Sequence, residues 1–163
     1  MGLMEDIIDS LMPHTETAPG LRPQSDAALQ QLILALKAGG KPAEGVQAAL
    51  RSPGTIAVNY GDPGVFNPLR LLNNVLVSSR GGGVGGTTHP TERGSEVFLN
   101  PKGAAAINKD IPANILPHEL LHAMRYNKKL DTGNVNIEES LGRMAGGDPL
   151  SNYLYRQFTS PSI

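Results

Sequence analysis

The stretch PHELLHAMRY, residues 117–126, places His118 and His122 four positions apart, with Glu119 directly after the first histidine. On a helix, side chains four residues apart project from the same face about one turn from each other, so these two imidazoles can bind one metal ion. Glu119 projects to one side, where it can act as a general base without ligating the metal. The spacing therefore predicts a helix that carries part of a catalytic metal site.

The sequence around this motif predicts where the helix begins and ends. Asn114 suits the N-cap position, and Pro117 then falls in the first turn, where its missing N–H costs nothing. Arg125 and the lysines at positions 128 and 129 suit the negative end of the helix dipole. We expect a helix that is capped by Asn114 and ends near Asn127.

A catalytic zinc ion needs a third protein ligand and keeps a fourth position open. A histidine six residues after His122 is excluded, because that position is Lys128. Three acidic residues further along the chain remain as candidates: Asp131, Glu138 and Glu139. Glu139 follows Asn136 by three residues, which is the spacing of a capping box on a helix predicted over residues 137–146, and in that case Glu138 would be the ligand. We favour Glu139 as the ligand.

The composition limits the chemistry that the chain can perform. It has 163 residues, 39% of them hydrophobic, which is enough for one domain with a buried core. It has no cysteine, so disulfides, thiolate metal sites and cysteine nucleophiles are excluded. The net charge of −1 does not favour a nucleic-acid partner, and no apolar run is long enough to span a bilayer. We expect a monomer without a nucleic-acid or membrane partner.

The order of the remaining segments predicts an α+β fold. Residues 1–23 are expected to form a short amphipathic helix and a proline-rich connector, and residues 24–163 a single domain. Helices are predicted from a cap at Ser25 or Asp26 to the glycine pair at 39–40, from 42 to about 50, and from 148 to about 158. Three runs rich in β-branched residues predict short strands: TIAVNY (55–60), NVLVSS (74–79) and SEVFLN (95–100).

The segment RGGGVGGTTHPTERG, residues 80–94, separates the last two predicted strands. Its glycines leave too little apolar surface for packing, which predicts a mobile loop with His89 exposed to solvent. A phosphate-binding loop is disfavoured, because neither a GKS or GKT sequence nor a helix follows the glycines.

HELLHAMRY (118–126), the glutamate pair of EES (138–140) and the glycine-rich segment before SEVFLNP resemble the NleD-like zinc metallopeptidases, which bacterial pathogens inject through type III secretion systems. The histidine motif and the glutamate pair are also similar to those of the clostridial neurotoxin light chains. The resemblance implies a minimal zincin-like fold, with a short mixed sheet packed on the HExxH helix and flanking helices. It also implies one Zn²⁺ per chain, bound by His118, His122 and Glu139, with Glu138 in a supporting position.

The resemblance and the chemistry together predict a zinc endopeptidase that is secreted by a bacterium into the cytoplasm of a host cell, where it cleaves a host protein such as a signalling protein. In this reaction Glu119 accepts a proton from the attacking water, and the developing oxyanion needs a further donor. Four residues are candidates for that donor: Tyr153, Tyr155, Arg156 and Tyr126. The strand SEVFLN is expected to lie at the sheet edge along which the substrate binds. A bacterial peptidase without a host target and a non-catalytic interaction module are the alternatives.

Overall fold

The computed structural model describes residues 20–61 and 85–147. In these ranges the chain has an α+β fold with four strands, five helices and one π-helical turn. The strands are β1 (Gly20–Pro23), β2 (Thr55–Tyr60), β3 (Gly86–Pro90) and β4 (Gly94–Leu99). The helices are α1 (Asp26–Ala38), α2 (Gly40–Leu50), α3 (Pro101–Ala106), α4 (Leu116–Asn127) and α5 (Val135–Ala145), with the π turn over Ile111–Ile115. Among the described residues, no helix is long and apolar enough to cross a membrane.

Several predicted features lie outside the described residues. They are the helix at residues 1–12, most of the connector that follows it, the strand at 74–79, and the last helix with Tyr153, Tyr155 and Arg156. The end of the expected connector is described, and it forms strand β1. The pairing of β1 with β2 places residues 20–23 within the sheet rather than in a linker.

The four strands form one mixed sheet in the order β1-β2-β4-β3. β1 runs parallel to β2, and β2 runs parallel to β4, whereas β3 is antiparallel to β4. The predicted strands TIAVNY and SEVFLN are confirmed as β2 and β4, the latter beginning one residue earlier. β4 has a neighbour on each side, so the prediction that SEVFLN is an edge strand is wrong. In the described part of the chain, that edge of the sheet is β3.

Strand β3 lies in the segment for which the glycines predicted a loop. It forms a hairpin with β4 through a tight turn, in which the backbone N–H of Thr91 donates to the carbonyl of Gly94 at 2.8 Å. The backbone N–H of Gly94 donates in turn to the Thr91 hydroxyl at 3.1 Å. The β-branched pair Thr87 and Thr88, followed by this turn, is the local signal that favours a strand here.

The hydrophobic core lies between the sheet and the helices α1, α2 and α4. Helix α4 contributes one apolar face, on which Leu116, Leu120 and Ala123 are fully buried. These side chains join a cluster that includes Val97 and Leu99 of β4. Because His118 and His122 lie on another face of the same helix, burial of the apolar face fixes the direction in which the histidines point.

The start of the histidine helix differs from the prediction. Asp110, not Asn114, is the capping residue, and its carboxylate accepts the backbone N–H of Ala113 at 2.8 Å. A wide π-helical turn follows, in which the N–H of Ile115 donates to the carbonyl of Asp110 at 3.1 Å. A regular helix would bring the ring of Pro117 against the carbonyl four residues earlier, which favours a wider turn before this proline.

Helix α1 follows the prediction more closely. The Ser25 hydroxyl accepts the backbone N–H of Ala28 at 3.1 Å, and Gly39 ends the helix with a φ of 70°. Helix α2 begins at Gly40, two residues before the predicted start. These two helices cover the core beside α4.

Candidate metal centre

His118, His122 and Glu139 form a group that could hold a metal ion, with their ligand atoms within 4.8 Å of one another. The Nε2 atom of His118 lies 3.3 Å from one oxygen of Glu139, and the Nε2 atom of His122 lies 3.0 Å from the other. The two imidazole rings meet at 72° with their centroids 4.8 Å apart. Two neutral nitrogen donors and a carboxylate are a donor set that suits zinc.

The start of helix α5 explains why Glu139 faces the histidines. Asn134 is the N-cap, and its side-chain oxygen accepts the backbone N–H groups of Asn136 and Ile137 at 3.0 and 3.2 Å. The helix therefore begins at Val135, two residues before the predicted start. Because Asn134 occupies the capping position, a capping box between Asn136 and Glu139 does not form, and the Glu139 carboxylate is directed to the histidines.

Glu138 has different partners from its neighbour. Arg125 donates to both of its carboxylate oxygens, from Nε at 2.5 Å and from Nη2 at 3.1 Å. The backbone N–H and the hydroxyl of Thr132 donate to the same carboxylate at 3.2 and 2.8 Å. The Arg125 guanidinium, and then Thr132, outweigh the effect of burial and lower the pKa of Glu138 to about 2. This carboxylate is fully used in joining α5 to α4, and it takes no part in the metal-binding group.

Asp131, the other sequence candidate, serves a local turn. One of its carboxylate oxygens accepts the backbone N–H of Gly133 at 2.8 Å. The residue lines the same cleft as the histidines but lies outside the three-residue group. Of the three acidic candidates, the structure brings Glu139 to the histidines.

Two observations test whether the group fits a metal ion. Among the described residues, the buried Nε2 atom of His122 has no hydrogen-bond partner, although a Glu139 oxygen lies near it. A Cβ atom on Gly142 would lie 2.8 Å from Nε2 of His118 and 2.9 Å from Nε2 of His122. The Glu139 carboxylate lies between the two imidazoles, with one oxygen 3.3 Å from Nε2 of His118 and the other 3.0 Å from Nε2 of His122. The three side chains could therefore hold a metal ion.

Electrostatic attraction holds the group together in the metal-free chain. Burial alone would lower the pKa of His122, but the carboxylates of Glu139 and then Glu119 raise it above its ordinary value. Burial likewise opposes ionisation of Glu139, yet His118 and His122 hold its pKa well below its usual range. Metal binding needs a neutral imidazole, so a bound ion would compete with protonation of His122.

Glu119 lies beside the metal-binding group. Its side chain is buried, and its Oε1 atom lies 4.0 Å from Nε2 of His118. The other oxygen, Oε2, accepts the hydroxyl of Thr88 on strand β3 at 2.5 Å. A carboxylate in this position can exchange a proton with a water near the metal while leaving the coordination to the other three side chains.

The group opens into a cleft of about 810 Å³, walled by β3, α4, α5 and the segment before the π turn. Tyr126 lies in its wall, one helical turn beyond His122. Burial, and then the nearby Asp131 carboxylate, raise the pKa of the Tyr126 hydroxyl, so this group stays protonated near neutral pH. Of the four predicted oxyanion donors, Tyr126 is the one in the described residues.

His89 also lines the cleft, but its position differs from the exposed loop that the sequence predicted. It lies in β3, where its half-buried ring makes an edge contact with Phe98 at 5.9 Å between centroids. Arg143, four residues after Glu139 on α5, lines another part of the cleft.

Sequence reasoning missed three residues that shape the site: Thr88, Arg125 as the partner of Glu138, and Gly142. Gly142 follows Glu139 by three residues, so a glycine on the ligand face of the helix was the available signal. The contacts of Thr88 and Arg125 join separate elements and leave no local pattern.

The chain matches no protein family, no curated protein and no solved structure at a significant level.

Replacement of Gly142 by alanine tests the close approach of α5 to the histidines. Alanine favours a helix interior by about 1 kcal/mol over glycine, so α5 itself gains stability. Its methyl group would nevertheless occupy space less than 3 Å from both imidazole nitrogens, and we expect at least a roughly tenfold loss of zinc affinity. Isothermal titration calorimetry with Zn²⁺ measures the affinity, and Met144→Ala on the same helix is the control. Unchanged affinity in Gly142→Ala would show that the two helices separate easily.

Proposed function

We propose that this chain is a zinc-dependent endopeptidase with a zincin-like fold. One observation carries the proposal: the buried Glu119 carboxylate lies beside the group of His118, His122 and Glu139, inside an open cleft. Three ligands with a separate carboxylate next to them are the components of hydrolytic zinc chemistry. A small mixed sheet packed on the histidine helix is consistent with a zincin-like arrangement.

The roles of the residues follow from their positions. Zinc bound by His118, His122 and Glu139 would supply a Lewis acid that lowers the pKa of a water and polarises a carbonyl. Glu119 accepts the proton of the attacking water and passes it to the leaving amine as the C–N bond breaks. The protonated Tyr126 hydroxyl, in the cleft wall, is the donor that we assign to the developing oxyanion.

The position of β3 supports an extended peptide as the substrate. β3 borders the cleft and, within residues 20–61 and 85–147, pairs with β4 along one side only. An extended peptide can pair with the other side of such a strand and present its backbone to the site. Strand β3 therefore takes the substrate-binding role that the sequence assigned to SEVFLN.

The destination of the enzyme is proposed from the motif resemblance. HELLHAMRY with the EES pair resembles injected bacterial effector proteases, and we propose secretion into a host cell and a host protein as the substrate. A bacterial peptidase without a host target would use the same chemistry. An interaction module with structural zinc is less well supported, because such a site normally has four protein ligands and the group found in the described residues has three.

Zinc binding and peptide cleavage test the proposal together. We expect one Zn²⁺ per chain by mass spectrometry, cleavage of an unbiased peptide library within chains rather than at their ends, and loss of cleavage on chelation that added zinc reverses. His118→Ala should abolish both zinc binding and cleavage. His89→Gln, which changes a cleft histidine outside the metal group, should keep the zinc. A folded chain that binds no zinc, or cleavage that survives chelation, would contradict the proposal.

A further inference from the structure

The hydrogen bond between Thr88 and Glu119 joins strand β3 to the carboxylate beside the metal group. The Thr88 hydroxyl lies 2.5 Å from Oε2 of Glu119 and 3.1 Å from the backbone oxygen of the same residue. A hydroxyl has a single proton, and the shorter contact to a charged acceptor is the stronger one. Thr88 therefore donates to the carboxylate.

The backbone of β3 brings Thr88 within reach of this carboxylate. Thr88 pairs with Val97, a core residue of β4, so its side chain lies on the sheet face that packs against α4. Gly86, two residues earlier, lies on the same face, where a Cβ atom would be 2.8 Å from Cγ of Glu119. The absence of a side chain at Gly86 lets the strand approach α4 closely enough for the Thr88 hydrogen bond.

This hydrogen bond makes the two oxygens of Glu119 unequal. Oε2 is occupied by Thr88, whereas Oε1 lies toward the metal group, 4.0 Å from Nε2 of His118. The Glu119 side chain would otherwise rotate about its terminal torsion, which is broad and weakly restricted. A donor on one oxygen selects the orientation in which the other oxygen faces the cleft.

We propose that Thr88 is a positioning residue that fixes the Glu119 carboxylate with Oε1 toward the metal group. Its catalytic consequence rests on the proposed peptidase function, in which Oε1 accepts the proton. Since Thr88 belongs to the strand assigned to substrate binding, the same element aligns the base and the peptide. A displacement of β3 would then misplace both together.

Two substitutions separate positioning from packing. Thr88→Val keeps the shape of the side chain and removes the donor, whereas Thr88→Ser keeps the donor and removes a methyl group. Crystal structures of the metal-free proteins give a readout that does not depend on activity. We expect Glu119 to keep its orientation in the wild type and in Thr88→Ser, and to turn or become disordered in Thr88→Val. A Glu119 carboxylate that stays in place in Thr88→Val would overturn the proposal.

Kinetics of the zinc-loaded proteins give the second readout. We expect kcat for peptide cleavage to fall about 10- to 100-fold in Thr88→Val, with KM and zinc affinity unchanged and with Thr88→Ser within about threefold of wild type. Equal losses in the valine and serine variants, or a change confined to KM, would also overturn the proposal. If Glu119 turns in Thr88→Val but the wild-type protein cleaves no peptide, the positioning role stands and the peptidase function fails.

Discussion

Replacement of Glu119 by glutamine is expected to reduce kcat/KM for peptide cleavage by about three orders of magnitude, while the protein still binds one zinc ion. Glutamine has the shape of glutamate, so it fits the buried position, and its side-chain oxygen can still accept the Thr88 hydroxyl. It cannot accept a proton from the attacking water at neutral pH. The metal-binding group of His118, His122 and Glu139 is left intact.

The measurement compares cleavage of one defined peptide by the wild type and the variant, with the zinc content of each determined on the same samples. Glu92→Gln is the matched control, because Glu92 lies in the exposed turn between β3 and β4. The control should keep full activity. Cleavage by Glu119→Gln within tenfold of wild type would remove Glu119 from the role of general base. Loss of zinc in Glu119→Gln would instead show that Glu119 is a metal ligand.

Glutamine substitutions at the two neighbouring glutamates should affect different properties, zinc affinity for Glu139 and stability for Glu138. Glu139→Gln removes the carboxylate that contacts both histidines, and we expect zinc affinity to fall more than about 100-fold, beyond the loss typical of residues outside the coordination sphere. Glu138→Gln leaves the ligands in place but breaks the two-point ion pair with Arg125. Charge-assisted hydrogen bonds of this kind contribute about 2 kcal/mol, so we expect the free energy of unfolding to fall by that amount.

Zinc titration of both variants measures their zinc affinities. Denaturant unfolding of both variants in the metal-free state measures their free energies of unfolding. The low pKa of Glu138 means that the wild-type carboxylate is ionised throughout the neutral and mildly acidic range in which these experiments are done. A loss of zinc by Glu138→Gln together with its retention by Glu139→Gln would reverse the assignment of the third ligand. An unchanged free energy of unfolding in Glu138→Gln would show that the Arg125 pair does not stabilise the docking of α5.

The sequence predicted the elements whose signals are local. Ser25 and Gly39 mark the ends of α1, and the β-branched run TIAVNY matches β2 residue for residue. The predicted N-cap, Asn114, is wrong. A π turn precedes the helix and is capped by Asp110, and the preferences of capping residues do not predict such a turn. The order of the strands was also beyond local signals, since the place of β4 between β2 and β3 depends on which strands pair across the sheet.

The residues of the site also fall into two groups, those with a local signal in the sequence and those without one. His118, His122 and Glu119 follow from the spacing on one helix, and the glutamate pair in the sequence favours Glu139 as the third ligand. The hydrogen bond from Thr88 joins residues 31 positions apart, and that from Arg125 joins residues 13 positions apart. Contacts at these separations are set by how β3, α4 and α5 pack, which periodicity along one element does not encode.

Helix α5 is attached to the fold in a different way from α4. Its buried residues are Glu138, Ser140 and Gly142, none of which has a large apolar side chain, whereas α4 is anchored through a fully buried apolar face. A metal ion bound by both helices stabilises their docked arrangement by about 1.4 kcal/mol for each tenfold excess of free ion over its dissociation constant. Under the proposed function, the ion would be a component of the interface between α4 and α5 as well as a reagent, and the integrity of this corner of the protein would follow the supply of zinc.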